Sequence, residues 1–233
     1  MHVLSEVPAP AAKEWPADTE SIDAARAFLS RTGRGITVIA CDSDVDGLAA
    51  AVIVERTVNA LGGTPHVLPV RRGEHVHHPA MKRRIEALHP SFLVVLDMGS
   101  RPQVIHPTLP TLVVDHHHAG AGLPPGAVVV NGYDRSPVAP TSVLAYLVCR
   151  TLHDGDGSAW LAALGAIADL GSASSFRDAL GIRAGGTTWR RAVSLLNAAR
   201  RAEVPDPMIA LDTLRQARSV PTIGNRRMKR GWR

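Results

Sequence analysis

The chain has 233 residues, 45% of them hydrophobic and only 4% aromatic, with a formal net charge of +5. That is enough apolar content for one α/β domain with a smaller appendage, built on Ala, Val, Leu and Ile rather than on rings. No stretch approaches the ~20 apolar residues of a membrane span, residues 1–16 lack a signal peptide's basic start and apolar middle, and two cysteines without CxxC spacing exclude a disulfide framework, so a cytoplasmic protein is expected.

Residues 1–17 carry three prolines and are expected to form a flexible arm. Asp18 or Thr19 can cap a helix running to Ser30, with Ile22, Ala25 and Leu29 on one face. Ile36 to Cys41 then reads as a buried strand, and it runs straight into Asp42-Ser43-Asp44-Val45-Asp46-Gly47. A helix is expected over Leu48–Leu61, stopped by Gly62-Gly63. Its free N–H groups would face the acids as a phosphate cradle. Pro65 to Val70 is a short strand, followed by the charged loop Arg71-Arg72-Gly73-Glu74-His75-Val76-His77-His78. Pro79 to Leu88 is a short helix with proline in its first turn.

Phe92 to Leu96 is a strand ending at Asp97. Residues 101–110 hold three prolines and cannot form a long helix. Leu112 to Val114 is a strand that delivers Asp115-His116-His117-His118. Ala127 to Val130 is another strand, and Thr141–Leu152 and Ser158–Ala168 read as helices, the second ending at Asp169. After a Gly-rich break over 181–186, Thr188–Arg201 and Pro207–Arg218 form a helical pair. A basic tail closes the chain over 221–233. Strands alternating with helices predict an α/β fold: a doubly wound, mainly parallel sheet with helices on both faces, then a small C-terminal helical segment.

If the three strands that run into these acids and imidazoles are parallel neighbours, their carboxylates and imidazoles converge on one rim. Open α/β sheets place their sites at the carboxyl ends of strands. Carboxylates and imidazoles gathered on one rim suit manganese, with magnesium or cobalt as substitutes. Phosphoester hydrolysis needs neutralised phosphoryl oxygens and a hydroxide at neutral pH, and two divalent metals about 3.5–4 Å apart supply both.

The order DxDxDG, an acid after an apolar strand, DHH, and an acid in Ala-Leu-Gly-Ala-Ile-Ala-Asp resembles the DHH phosphoesterase family, in particular its RecJ-like branch. The resemblance spans residues 30–175 and implies a DHH phosphoesterase domain over 18–180, with a helical extension over 181–220. It matches Asp44, Asp46, Asp97, His116 and Asp169 to metal ligands, with Asp42 where other branches place a histidine. His117 matches the histidine that contacts the substrate phosphate, and Asp115 is expected to orient His116. Leu68-Pro69-Val70-Arg71 resembles the Ile-Pro-x-Arg of RecJ-like proteins, which implies that Arg71, or else Arg72, faces the site. Two divalent metal ions are implied, Mn2+ before Mg2+ or Co2+. The implied activity is exonuclease action on single-stranded nucleic acid or short oligonucleotides. A cyclic dinucleotide, a 3′,5′-bisphosphonucleotide or polyphosphate is the alternative substrate, and a catalytically weak nucleic-acid-binding relative is a third reading.

Competing readings explain less. Asp42-x-Asp44-x-Asp46-Gly47 also opens a calcium-binding EF-hand loop, but position twelve would be Ile53 and a strand precedes it. Asp44-Val45-Asp46-Gly47-Leu48 also looks like the nucleophile motif of haloacid-dehalogenase-type phosphatases, which leaves Asp115-His116-His117 unexplained. Alone, Asp97 is a strand-end turn residue and Asp169 the polar end of a helix; their place in the set raises them. His75, His77 and His78 read as loop histidines, His118 as exposed, and Cys41 as core. Asn131 and Asp134 match the family's Asn-Pro turn only in part, since Gly132 follows Asn131. Most family members carry a second domain with a Gly-rich motif ending in histidine. Only Ala184-Gly185-Gly186 is present, so a stand-alone catalytic domain or an incomplete sequence is expected, with a partner domain or homo-oligomer completing the site.

Overall fold

A computed structural model describes residues 15–153, 155–202 and 206–223. The expected arm lies outside these residues up to residue 14, and the expected basic tail from residue 224. In chain order the elements are α1 (Thr19–Ser30), β1 (Ile36–Cys41), α2 (Val45–Ala60), β2 (Thr64–Pro69), α3 (Pro79–Glu86), β3 (Phe92–Leu96), β4 (Thr111–Asp115), β5 (Val128–Asn131), α4 (Thr141–Cys149), α5 (Ala159–Leu170), α6 (Arg177–Leu180), α7 (Gly186–Arg201) and α8 (Pro207–Gln216).

The five strands form one parallel sheet in the order β2-β1-β3-β4-β5. All of β3 and β4 is buried, as expected of parallel strands covered on both faces. Alternation divides the apolar side chains. Ile39, Val94, Leu112 and Val114 join one core with α1, α2, α4 and α5, while Val38, Ala40, Val95 and Val113 join a second with Met81 and Ile85 of α3. The winding is therefore double but unequal. One face carries the helical mass, and the other carries α3 and the proline-rich segment over 101–110. The buried residues of α7 and α8 (Ala192, Leu196, Leu211 and Leu214 among them) belong to the larger core. Among the described residues no helix is long and apolar enough to cross a membrane.

The strand order reverses direction between β1 and β3, and this is where open α/β sheets leave a crevice at their carboxyl ends. Backbone bonds carry the ladder past the strands into it. Asp42 N–H donates to Leu96 O (3.1 Å), Asp97 N–H to Val114 O (3.2 Å), and Gly132 N–H to Asp115 O (3.2 Å).

Two boundaries move in ways that matter. Helix α2 begins at Val45, not Leu48, because Asp44 is its N-cap: the extended Asp44 accepts from Gly47 N–H at 2.9 Å. Asp46 is therefore a first-turn residue rather than a loop residue. Helix α5 runs to Leu170, so Asp169 stands inside its last turn, with Gly171 in the left-handed conformation closing it.

Candidate metal centre and its flanking cavities

Helix α2 is Ala-rich and packs against α4 and α5, which brings the start of α4 onto Asp46. Asp46 is 1% exposed. Its Oδ2 accepts from Thr141 N–H (2.7 Å), and its Oδ1 accepts from Ser142 N–H (3.2 Å) and the Ser142 hydroxyl. Two free N–H groups at a helix start suit a carboxylate. Thr141 also donates its hydroxyl to Asp97 Oδ1 at 2.9 Å, so one residue holds acids from two elements. The close approach needs Gly165 on α5, where a Cβ would stand 2.2 Å from Ser142 Oγ and 2.3 Å from Asp46 Oδ1.

Asp97 follows β3 directly at φ 61°, a left-handed conformation uncommon outside glycine. Such backbone clusters at functional sites. Its carboxylate lies 3.3 Å from His116 Nε2 and 3.8 Å from His117 Nδ1. Ligand-capable atoms of Asp97, His116 and His117 all lie within 4.8 Å of one another. Asp169 joins from α5, its Oδ2 3.8 Å from His116 Nδ1. Asp42 and Asp44 stand on the neighbouring wall. Asp42 lines both cavities described below, and Asp44 is engaged by its cap and lies 4.0 Å from Arg200.

Asp115 does not orient the ring of His116, contrary to expectation. Its Oδ1 meets His117 Nδ1 at 2.8 Å and accepts the backbone N–H of His116 (2.8 Å) and His117 (3.2 Å). The reason is the chain turn after β4, which folds His117 back onto the strand end while His116 extends toward Asp97 and Asp169. Ser100 donates to Asp115 Oδ2 (3.2 Å), and Asn131 Nδ2 donates to Ser100 Oγ (3.2 Å) and to the His117 carbonyl (2.9 Å).

The electrostatics are those of closely packed, buried acids around one imidazole. Burial pushes Asp97 up to about 6. Burial also raises Asp46 well above the carboxylate range, with Asp97 and Asp44 adding to it, and raises Asp42 with help from Asp44. Burial opposes the charged form of His116, but the hydrogen bond to Asp97 and the charges of Asp46, Asp97 and Asp169 hold it up at about 9. The bond to Asp115 raises His117.

Two cavities meet at Asp42. The larger holds about 880 Å³, and five arginines line it: Arg71 and Arg72 after β2, Arg84 on α3, and Arg200 and Arg201 at the end of α7. Arg84 is paired with Glu74 at 3.0 Å, whereas Arg71 and Arg72 are exposed. The smaller holds about 330 Å³ beside Asp97 and His117. Sequence reasoning missed Arg200 and Arg201, which arrive from the far end of the chain with no local signal. It also missed Thr141 and Ser142, a polar pair opening an otherwise apolar helix, which was legible as a helix start but not as a carboxylate cradle. Cys41 is core and His118 is exposed, as expected. Of the loop histidines, His75 Nδ1 accepts from His77 N–H (3.1 Å) and His78 Nδ1 from Ala80 N–H (3.3 Å), so both serve local turns.

No family model matches the sequence, and no curated protein matches it. The fold, however, is shared with solved structures. Exonuclease RecJ bound to manganese superposes with a TM-score of 0.69 at 23% identity, over 92% of this chain and 66% of that one. RecJ from Thermus thermophilus in complex with Mn2+ gives 0.69 at 23%, over 95% of this chain and 38% of that one. The DHH domain of a member of the s1p family of ribosomal proteins gives 0.56 at 16%, over 89% and 54%. The chain thus spans between 38% and 66% of the length of these three structures. The DHH-type, RecJ-like α/β fold expected from the motif order is the fold observed.

Proposed function

We propose that this chain is a metal-dependent phosphoesterase of the DHH family. Its most fitting reaction is RecJ-like exonucleolytic hydrolysis of phosphodiester bonds in single-stranded nucleic acid or short oligonucleotides. The observation that carries this reading is the gathering of Asp97, His116, His117 and Asp169 at the β1/β3 crevice, directly beside a cavity lined by five arginines. The RecJ structures, solved with manganese, support it by their shared fold.

The donor set fits divalent metal. Buried carboxylates held above their usual protonation range are relieved by a cation, and mixed carboxylate and imidazole donors suit Mn2+, with Mg2+ or Co2+ able to substitute. Asp42, Asp44, Asp46, Asp97, His116 and Asp169 are assigned to two such ions. Bound there, they would supply charge neutralisation on phosphoryl oxygens and a hydroxide at neutral pH. The chain's own groups do the rest. Asp115 keeps the Nδ1 side of His117 engaged and its ring fixed, leaving Nε2 as the free nitrogen toward a phosphate oxygen. Arg71, with Arg72 and Arg200 across the cavity, binds phosphate oxygens through planar, always-charged forks.

The test is turnover of a 5′-labelled single-stranded oligonucleotide with and without Mn2+, beside Asp97→Ala. Mononucleotide release that requires Mn2+ and falls below a tenth in the variant is the expected result. No release, with Mn2+ still raising the Tm, would keep the metal site and overturn the exonuclease assignment in favour of small phosphoesters.

A further inference from the structure

Of the phosphate contacts proposed above, only His117 lines the smaller cavity; the arginines line the larger one. Its walls include Asp97, His117, His118, His75 and Arg101, and it joins the arginine cavity at Asp42. The candidate ligands therefore stand between two open spaces. A terminal phosphate fills one space, whereas a phosphodiester carries a substituent on either side.

His118, which lines the smaller cavity, packs against an exposed ring in a chain that is only 4% aromatic. Tyr133 is 47% exposed, so it is not a core residue. It meets the ring of His118 at 4.8 Å between centroids and 62° between planes. The two rings thus form an open corner rather than a closed stack. Its placement is fixed from the site side. Tyr133 N–H donates to Asn131 Oδ1 (2.9 Å), and Asn131 Nδ2 donates to the His117 carbonyl (2.9 Å). One asparagine couples the turn carrying Tyr133 to the loop carrying His117 and His118.

We propose that Tyr133 and His118 form a nucleobase shelf for the nucleoside attached to the scissile phosphate, with Arg101 in the same cavity for a neighbouring anionic group. This rests on the phosphodiesterase reading above, and it narrows the substrate class to nucleotides. Every base offers a π-face to a ring, so such a shelf is tolerant of sequence, whereas polyphosphate offers nothing to stack.

The experiment compares wild type, Tyr133→Ala and Tyr133→Trp, with Mn2+ present, on three substrates: a 5′-phosphorylated deoxydinucleotide and the two molecules that lack one or the other base. Tyr133→Ala is expected to raise KM for the intact dinucleotide on the order of tenfold with kcat little changed. Tyr133→Trp restores it. Removing the base on the shelf side from the substrate gives wild type the same loss and makes Tyr133→Ala silent. An unchanged KM, or an equal loss on intact and abasic substrates, overturns the shelf. Wild-type turnover of bis(p-nitrophenyl) phosphate is followed in parallel. Its absence counts against the phosphodiesterase itself, and the shelf is then judged by calorimetric binding of the dinucleotide with Mn2+ present. Binding that Tyr133→Ala weakens supports it, and no binding or equal binding overturns it.

Discussion

His117 Nδ1 lies 2.8 Å from Asp115 Oδ1, an oxygen that also takes the backbone N–H of His116 and His117. One buried atom thus holds both the loop backbone and the imidazole it carries. Asp115→Asn keeps the shape but removes the charge that holds the ring and its proton. Activity should fall roughly 10- to 100-fold, as for other carboxylates behind a working imidazole. The rise of Tm with Mn2+ should survive, because His116, not His117, faces Asp169. Single-turnover rates beside a Mn2+ melt series check this, and an unchanged rate would remove Asp115 from the proposed mechanism.

Thr141 bridges Asp46 and Asp97 with two donors and is fully buried. Thr141→Val keeps the backbone donor to Asp46 and the volume, but leaves Asp97 Oδ1 to His116 alone, without the hydroxyl that positions it. We expect Mn2+ affinity to weaken by about tenfold, with Thr141→Ser restoring it. Calorimetric titration of metal into the three proteins decides it. Equal affinities would show that the hydroxyl only fills space.

The metal-free protein should lose stability as pH rises. Asp97 sits at about 6 against an ordinary 3.8, so the fold favours its protonated form. His116 sits at about 9 against an ordinary 6.5, with the same preference. A raised folded pKa gives stability that is complete below the unfolded value and is lost through the folded one. The losses therefore fall between about 3.8 and 6 for Asp97, and between about 6.5 and 9 for His116. Asp42 and Asp46 add in the same direction. Metal displaces these protons, so stabilisation by Mn2+ should grow over the same range. Melts in EDTA and in Mn2+ from about pH 5 to about pH 9 test the sign. An EDTA Tm that climbs with pH would contradict it.

Gly165→Ala would improve an exposed helix, but here the sign should invert. The added Cβ would stand 2.3 Å from Asp46 Oδ1 and 2.2 Å from Ser142 Oγ, and both partners are buried. A loss of about 1–3 kcal/mol is expected, seen as a drop of several degrees in Tm. Weakened Mn2+ binding should accompany it, since Asp46 cannot move without α4. A neutral Tm would mean that α4 and α5 separate freely at this point.

Local pattern was enough for the strands and most of the helices, though not for the short α6, and for the acids and imidazoles that end the strands. Apolar runs ending in acids marked β1, β3 and β4, because a parallel strand buried on both faces must be apolar until it reaches solvent at its end. The same rule put Asp42, Asp97 and Asp115 at strand ends, and the strand order β1-β3-β4 then sets those ends side by side. Glycine and proline marked most helix ends. The start of α2 escaped because Asp44 looked like a loop ligand, and the same short side chain is also a helix cap.

Pairings across the chain were decided by tertiary structure alone. Nothing near Asp115 says whether its carboxylate serves His116 or His117; the turn after β4 decides it. Thr141 reaches Asp46 and Asp97 only because α2, α4 and α5 pack against one another, which a glycine on α5 permits. Arg200 reaches Asp44 only because α7 shares a core with α5. Sequence by itself determined which residue types end which strands, since burial along the chain is a local property. Which of those residues touch is set by how amphipathic faces dock, and docking joins positions that no short-range pattern links.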